Sequence, residues 1–203
     1  ITMGFPLAQT PVYSYINALM ELQTTGYRRD TGRYTYETVL AVLKHPYTRQ
    51  LSAASEDLEK QLTKDNRFYP LPSELKKDAF LERIFTPQNG ISSICRYLTE
   101  LLRAVAVVYR QEKDEEDIFN QLYRESLFKS YTLVNRLLSL IESDGLSLQT
   151  DTLKRLMNRL LTSTNIPFHG EPAIGMQVMG VLETRNLDFR NLIMLSLNEG
   201  QLP

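Results

Sequence analysis

The stretch GMQVMGVLETRNLDFRNLIMLSLNEGQLP, Gly175 to Pro203, decides how the rest of the chain is read. Met176 to Val181 and Leu192 to Leu197 are short apolar runs rich in Val, Ile, Leu and Met. Runs of that kind fit strands buried on both faces, as in a parallel sheet covered by helices. The connection between them, Leu182 to Asn191, is too long for a tight hairpin and has room for one helical turn.

Upstream, the texture is different. Ser163 to Pro172, STNIPFHGEP, carries two prolines and a glycine and reads as an extended linker. Before it, from Thr35 to Thr162, almost everything has helical periodicity. Tyr36, Val39, Leu40 and Leu43 form one apolar face, ended by Lys44-His45-Pro46. Leu51, Leu58 and Leu62 mark a more polar second helix, and Leu75, Ala79 and Phe80 a third. The clearest stripe is Ile91, Ile94, Cys95, Leu98, Leu101, Leu102, Val105, Val108 and Tyr109, after the turn signal TPQNG. A long helix through Ile118, Leu122, Leu133, Val134, Leu137, Leu138 and Ile141 follows the charged junction Gln111 to Asp117. A last one carries Leu153, Leu156, Met157, Leu160 and Leu161, capped by Thr150 or Asp151. Helices of this kind bury their stripes against one another as a bundle, and no fixed-period repeat points to a solenoid.

At the other end, Ile1 to Pro6 reads as the end of a buried strand. Thr10 then caps a helix opened by Pro11 and stopped by Gly26. Strand-like sequence therefore stands at both ends of a helical block. The simplest geometry is one α/β domain interrupted by a helical insertion, with residues 1–26 and 166–203 as its two pieces and 27–165 as the insertion. Ile1 in place of a Met, and a loop at the far end, read as a piece of a longer protein.

Composition narrows the chemistry. The 203 residues have a hydrophobic share of 42% and a charged share of 23%, ordinary for a globular protein. The formal net charge is -1, so any contact with nucleic acid has to be local. A single cysteine, Cys95, excludes an internal disulfide and fits a reducing cytoplasm. No run is long and apolar enough to span a bilayer. His45 and His169 lack Cys or His neighbours at ligand spacing, so no zinc site is expected. No Ser/His/Asp set and no nuclease constellation is present, and neither catalysis nor a cofactor is expected of these residues.

Gln177, Val178 and Met179, then Leu187, Asp188 and Phe189, then Asn198-Glu199-Gly200-Gln201-Leu202-Pro203 form an ungapped pattern. It resembles the return segment of the second RecA-like domain in superfamily 1 helicases of the UvrD and RecB type. The opening ITMGFPLAQTPVYSYINAL and the later YETVLAVLKHPY resemble AddB-type subunits of bacterial helicase–nucleases. The resemblance implies a mainly α chain: a helical (2B-like) insertion flanked by two pieces of a partial α/β RecA-like (2A-like) helicase domain. In the family, a Thr hydroxyl and a His in the turn after the first strand touch the DNA backbone. Here the motif-equivalent positions are Gly180, Leu182, Arg185, Asn186, Leu187 and Asp188. A glycine and a leucine offer no side-chain hydrogen bond to a phosphate.

What the resemblance implies is thus a non-catalytic, helicase-like scaffold in a DNA-end-processing subunit for double-strand-break repair. Its partners would be DNA and an AddA/RecB-like motor subunit. The parent would carry a Mg2+-dependent nuclease, with ATP used only by a working motor domain, in the cytoplasm and away from membranes. Two alternatives stand beside it. One is a segment of an active ATP-dependent superfamily 1 helicase. The other is a helical protein-interaction module without a DNA role.

The candidate DNA contacts are Arg185 and Arg190 near the end, and Arg28, Arg29 and Arg33 in YRRDTGR. The first pair alternatively pairs with Glu183 and Asp188, and the second set alternatively lies in a solvated loop. Asn198, Glu199 and Gly200 either shape a domain interface or simply end a strand.

Overall fold

The computed structural model describes residues 4–111, 118–143, 148–166 and 190–195. Contacts divide the chain into two compact units. Gly4–Phe168 forms one, and Ile1–Met3 with His169–Pro203 the other.

The larger unit is helical. Strand β1 (Phe5–Pro6) and a 3₁₀ turn (Leu7–Gln9) lead into α1 (Pro11–Glu21). Pro11 opens that helix, where its missing N–H is no loss. Thr10 occupies the expected cap position, but its hydroxyl donates back to the Leu7 carbonyl at 2.6 Å instead of accepting from the helix. The chain continues past Glu21 through a π-helical turn, Leu22–Gly26. A short hairpin, β2 (Tyr27–Arg28) and β3 (Arg33–Tyr34), follows. Then come α2 (Tyr36–Leu43), α3 (Pro46–Leu51), α4 (Ala54–Lys64), α5 (Pro72–Leu75) and α6 (Ala79–Ile84). The unit is completed by α7 (Ile91–Gln111), α8 (Ile118–Ser143), α9 (Thr150–Thr162) and β4 (Asn165–Ile166).

Two helices expected as single elements are each split. The second breaks at Ser52-Ala53 into α3 and α4, and the third divides into α5 and α6. The reason lies in caps that apolar spacing does not reveal. The Asp78 carboxylate accepts from the Phe80 and Leu81 amides at 2.9 and 2.7 Å, and so starts α6 afresh. The Ser52 hydroxyl donates to the other oxygen of the same carboxylate, fixing the α3–α4 corner to that start. Pro46, expected only to end α2, also opens α3.

The core gathers the expected stripes. On α7, Ile94, Cys95, Leu98, Leu101, Leu102 and Val105 are buried, whereas Ile91, Val108 and Tyr109 are half-buried. Each fully buried aliphatic side chain contributes about 1.5–3 kcal/mol against exposure. α7 and α8 form an antiparallel pair. One end is fixed by Arg96 Nε donating to Glu142 Oε1 at 3.0 Å, the other by Arg124 Nε donating to the Tyr109 carbonyl at 3.0 Å. Ser126 and Ser130 are wholly buried on α8, where small side chains let the helices approach closely. α1, placed by the sequence with the flanking domain, packs against α2, α7, α8 and α9.

The chain enters and leaves this unit side by side. β1 pairs with β4 in antiparallel fashion, Phe5 opposite Ile166 and Pro6 opposite Asn165. The Leu7 amide extends the pairing by donating to the Thr164 carbonyl at 3.0 Å. Asn165–Ile166 therefore forms a strand inside the stretch Ser163 to Pro172, whose prolines and glycine read as a linker. Gly4 sits where a Cβ would lie 2.8 Å from Asn165 Cβ and 2.9 Å from the Ile166 carbonyl oxygen. Gly4→Ala is expected to splay the pair and cost about 1–2 kcal/mol. Urea unfolding together with faster exchange of the Leu7 amide would read this; unchanged stability and exchange would refute the close approach.

In the smaller unit only residues 190–195 are described. Leu192–Leu195 belong to no strand, and Ile193 and Leu195 are 83% and 85% exposed. The expected doubly buried strand is therefore not found over these four residues. An apolar run becomes such a strand only when neighbouring strands and covering helices are supplied, and the run alone does not say which chain supplies them.

Candidate nucleic-acid interface

The cationic stretch Tyr27 to Arg33 is a tight hairpin rather than a loose loop. Tyr27 pairs with Tyr34 and Arg28 with Arg33. The chain reverses through Gly32, whose φ of +66° suits a residue without a Cβ, and the Gly32 amide donates to the Arg28 carbonyl at 2.8 Å. The hairpin is anchored inward by Tyr34, which is fully buried. Its ring meets Tyr27 at 5.0 Å and Phe85 at 5.8 Å between centroids. Arg28 and Arg29 are left exposed, and Arg33 half-buried.

A second segment runs beside the hairpin. Asn66 turns the chain with φ +49°, a conformation asparagine tolerates better than most residues. The next residues are stitched down by backbone bonds. The Tyr36 amide donates to the Phe68 carbonyl and the Tyr34 amide to the Pro70 carbonyl, each at 3.0 Å. Arg33 Nη1 donates to the Tyr69 carbonyl at 2.9 Å. The Arg28 guanidinium lies over the Tyr69 ring, 4.9 Å from its centroid, in a cation–π contact. Phe68 is 64% and Tyr69 46% exposed, so two aromatic rings stand in solvent beside three arginines.

Of the expected DNA contacts, Arg28, Arg29 and Arg33 are thus brought together on one hairpin. Arg190 is exposed on a bend in the smaller unit. Arg185, Gly180, Leu182, Asn186, Asp188, Asn198, Glu199 and Gly200 lie outside the described residues. Phe68 and Tyr69 were not singled out from the sequence. Their signal was the run Asn66-Arg67-Phe68-Tyr69-Pro70, where aromatic residues sit inside a turn instead of on a helical stripe.

Several other charged groups have charged partners or neighbours among the described residues. A groove of about 520 Å³ between α6 and α7 includes Arg83 and Arg96, but Glu82 and Glu100 share its walls and Arg96 pairs with Glu142. Lys154 on α9 reaches across to Glu21 at 3.2 Å. Among the described residues no group of three His, Cys, Asp or Glu side chains could hold a metal ion. No described helix is long and apolar enough to cross a membrane. Burial, reinforced by Glu142, pushes the Cys95 thiol up to about 11, which suits a core side chain and not a nucleophile.

His45 serves as a helix cap on α3. Its Nδ1 accepts from the Tyr47 amide at 3.2 Å, while Nε2 lies 3.2 Å from the Pro11 carbonyl and 3.1 Å from Ser14 Oγ. The accepting Nδ1 places the proton on Nε2, where it meets the Pro11 carbonyl. The ring also packs among Tyr15 at 4.6 Å and Tyr47 at 5.1 Å. Desolvation lowers the imidazole from its ordinary 6.5 to about 4, against the opposing pull of the Pro11 carbonyl. Since the folded value is the lower one, the unfolded chain binds more protons between these values. Stability is complete above ~pH 6.5 and falls as pH drops toward ~4, by about 2 kcal/mol after allowance for screening at the ring edge. Urea unfolding at ~pH 7 and ~pH 4.5 should show a larger acid loss in the wild type than in His45→Gln. Equal losses would contradict the neutral cap.

With the geometry in place, comparison with protein families, with curated proteins and with solved structures finds no match for this chain.

Proposed function

We propose that the chain is a helical insertion, with the flanks of a RecA-like domain, in an AddB-like subunit that processes broken DNA ends. The observation that carries this reading is the β1–β4 pair. A domain inserted into another must begin and end at nearly the same point, and Phe5 lies directly opposite Ile166. The sequence pattern of Met176 to Pro203 supplies the helicase resemblance, and Gly180 and Leu182 supply the argument for an inactivated motor. The segment serves as a non-catalytic scaffold. The Mg2+-dependent nuclease resides elsewhere in the parent, and an AddA/RecB-like partner burns ATP. The setting is the cytoplasm.

The test is ATP hydrolysis and DNA-end binding by the intact subunit, with and without its motor partner, on a blunt duplex. Hydrolysis only in the partner's presence, with end binding that weakens steeply as salt rises, supports the proposal. Hydrolysis by the subunit alone would make it an active helicase. Absent or salt-independent binding would make it an interaction module with no DNA role.

A further inference from the structure

The exposed rings beside the hairpin invite a more specific assignment. In a chain of net charge -1, cations are not in general excess, yet Arg28, Arg29 and Arg33 are concentrated on one short hairpin with Asp30 as its only acid. Arg28 and Arg29 are exposed and pair with no described carboxylate. Arg67 is different, because Glu74 neutralises it at 3.1 Å. The uncompensated charge therefore belongs to the hairpin itself.

The backbone that carries the rings is held in place. Backbone bonds from Tyr36 and Tyr34 fix Phe68 and Pro70, and the Arg33 guanidinium fixes the Tyr69 carbonyl between them. Phe68 meets Tyr36 in a T-shaped contact, with centroids 6.2 Å apart, and a contact of that shape leaves at least one face of the Phe68 ring open. Tyr69 carries the flat Arg28 guanidinium on its ring, which extends the stacking surface with a plane that is itself charged.

We infer that Phe68 and Tyr69, with Arg28, Arg29 and Arg33, form a binding platform for single-stranded nucleic acid. Bases stack on Phe68 and on the Arg28–Tyr69 pair, and Arg29 meets the backbone phosphates. Sequence-independent binding of single strands requires this combination: every base has a stackable face, and a phosphate needs a cation. A duplex hides its base faces and would use only the arginines. The rings therefore favour a single strand, such as an unwound end would supply. The biological setting rests on the DNA-end reading proposed above; the binding itself does not.

The test is fluorescence anisotropy of the full chain with a labelled oligothymidylate roughly 15 nucleotides long, at low salt and then across a salt series. Wild-type binding should weaken as salt rises. Phe68→Ala should weaken it about tenfold, whereas Phe68→Trp should retain it. Arg28→Ala with Arg29→Ala should reduce the salt slope by roughly one to two. Arg155→Ala, removing an exposed cation on α9, should change nothing. Circular dichroism and melting of each variant confirm that the fold is kept. No binding at low salt, or binding equally indifferent to Phe68→Ala and to the double arginine variant, overturns the platform. Such a result leaves the DNA-end reading standing. Conversely, ATP hydrolysis by the lone subunit would sink that reading and leave the platform intact.

Discussion

Gly26→Ala is expected to destabilise the helical unit by about 3 kcal/mol, although it adds only one methyl group. A Cβ at this position would lie 2.3 Å from Thr38 Oγ1, 2.9 Å from its Cβ and 3.1 Å from its Cγ2. None of those atoms can swing away cheaply. Thr38 is β-branched, which restricts χ1. Its hydroxyl donates to the Thr35 carbonyl at 3.0 Å and lies 2.9 Å from Thr35 Oγ1. Nor can the backbone retreat freely, because the Thr35 amide donates to the Gly26 carbonyl at 2.8 Å. The two segments are thus clamped at the point where the new methyl must fit. Thr38→Ala should relieve part of the clash. The double variant is then less destabilised than the sum of the singles, by about 1–2 kcal/mol in a urea-unfolding cycle. A Gly26→Ala loss below about 0.5 kcal/mol would show that α2 shifts without cost.

The second large effect is expected at Gln23. This side chain, 3% exposed, projects from the π-helical turn after α1 toward the turn that follows α6. Its Nε2 donates to the Ile84 carbonyl at 3.0 Å and the Thr86 carbonyl at 3.3 Å, and its Oε1 accepts from the Gln88 amide at 3.1 Å. One carboxamide therefore satisfies three backbone groups that secondary structure leaves over. Gln23→Leu keeps the bulk and removes every bond. The carbonyls retain other donors, the Tyr97 hydroxyl on Ile84 at 3.0 Å and Gln88 Nε2 on Thr86 at 2.9 Å. The Gln88 amide keeps none of these, so the loss should be about 2–3 kcal/mol. Gln23→Glu should cost more at neutral pH. A carboxylate cannot donate, and it would face two carbonyl oxygens while buried. Denaturant midpoints ordered wild type, then Leu, then Glu support this account; a Glu variant as stable as the wild type would refute it.

These two positions also show where a sequence becomes opaque. The stripes of α7, α8 and α9 are legible because burial repeats at helical spacing, and Pro11 and Gly26 mark ends that punctuation residues announce. Yet Gly26 is not the left-handed stop that a terminal glycine suggests. It is needed for the close approach of Thr38, a residue twelve positions away in a different helix. Gln23 reads as one polar residue among several, since its partners lie some sixty positions further on. The pairing of β1 with β4 spans nearly the whole unit and leaves only two residues of strand at each end, too few for any period to register. The candidate interface was half legible. The arginines stand out as a charge cluster, but the rings that complete it come from a turn that only tertiary folding places beside them.

The claim on which everything turns is that the chain enters and leaves the helical block at one point. Paired cysteines at Pro6 and Asn165, made in the full chain as Pro6→Cys with Asn165→Cys, test it directly. Cys95 is buried and its thiol raised, so it does not compete. Mild oxidation should close the cross-link nearly completely. Closing so long a loop should raise stability by up to about 4–5 kcal/mol if the bond is unstrained. Free thiols remaining at positions 6 and 165 after oxidation of a folded protein, located by mass spectrometry of labelled peptides, would mean that the ends stand apart, and the insertion account would fall.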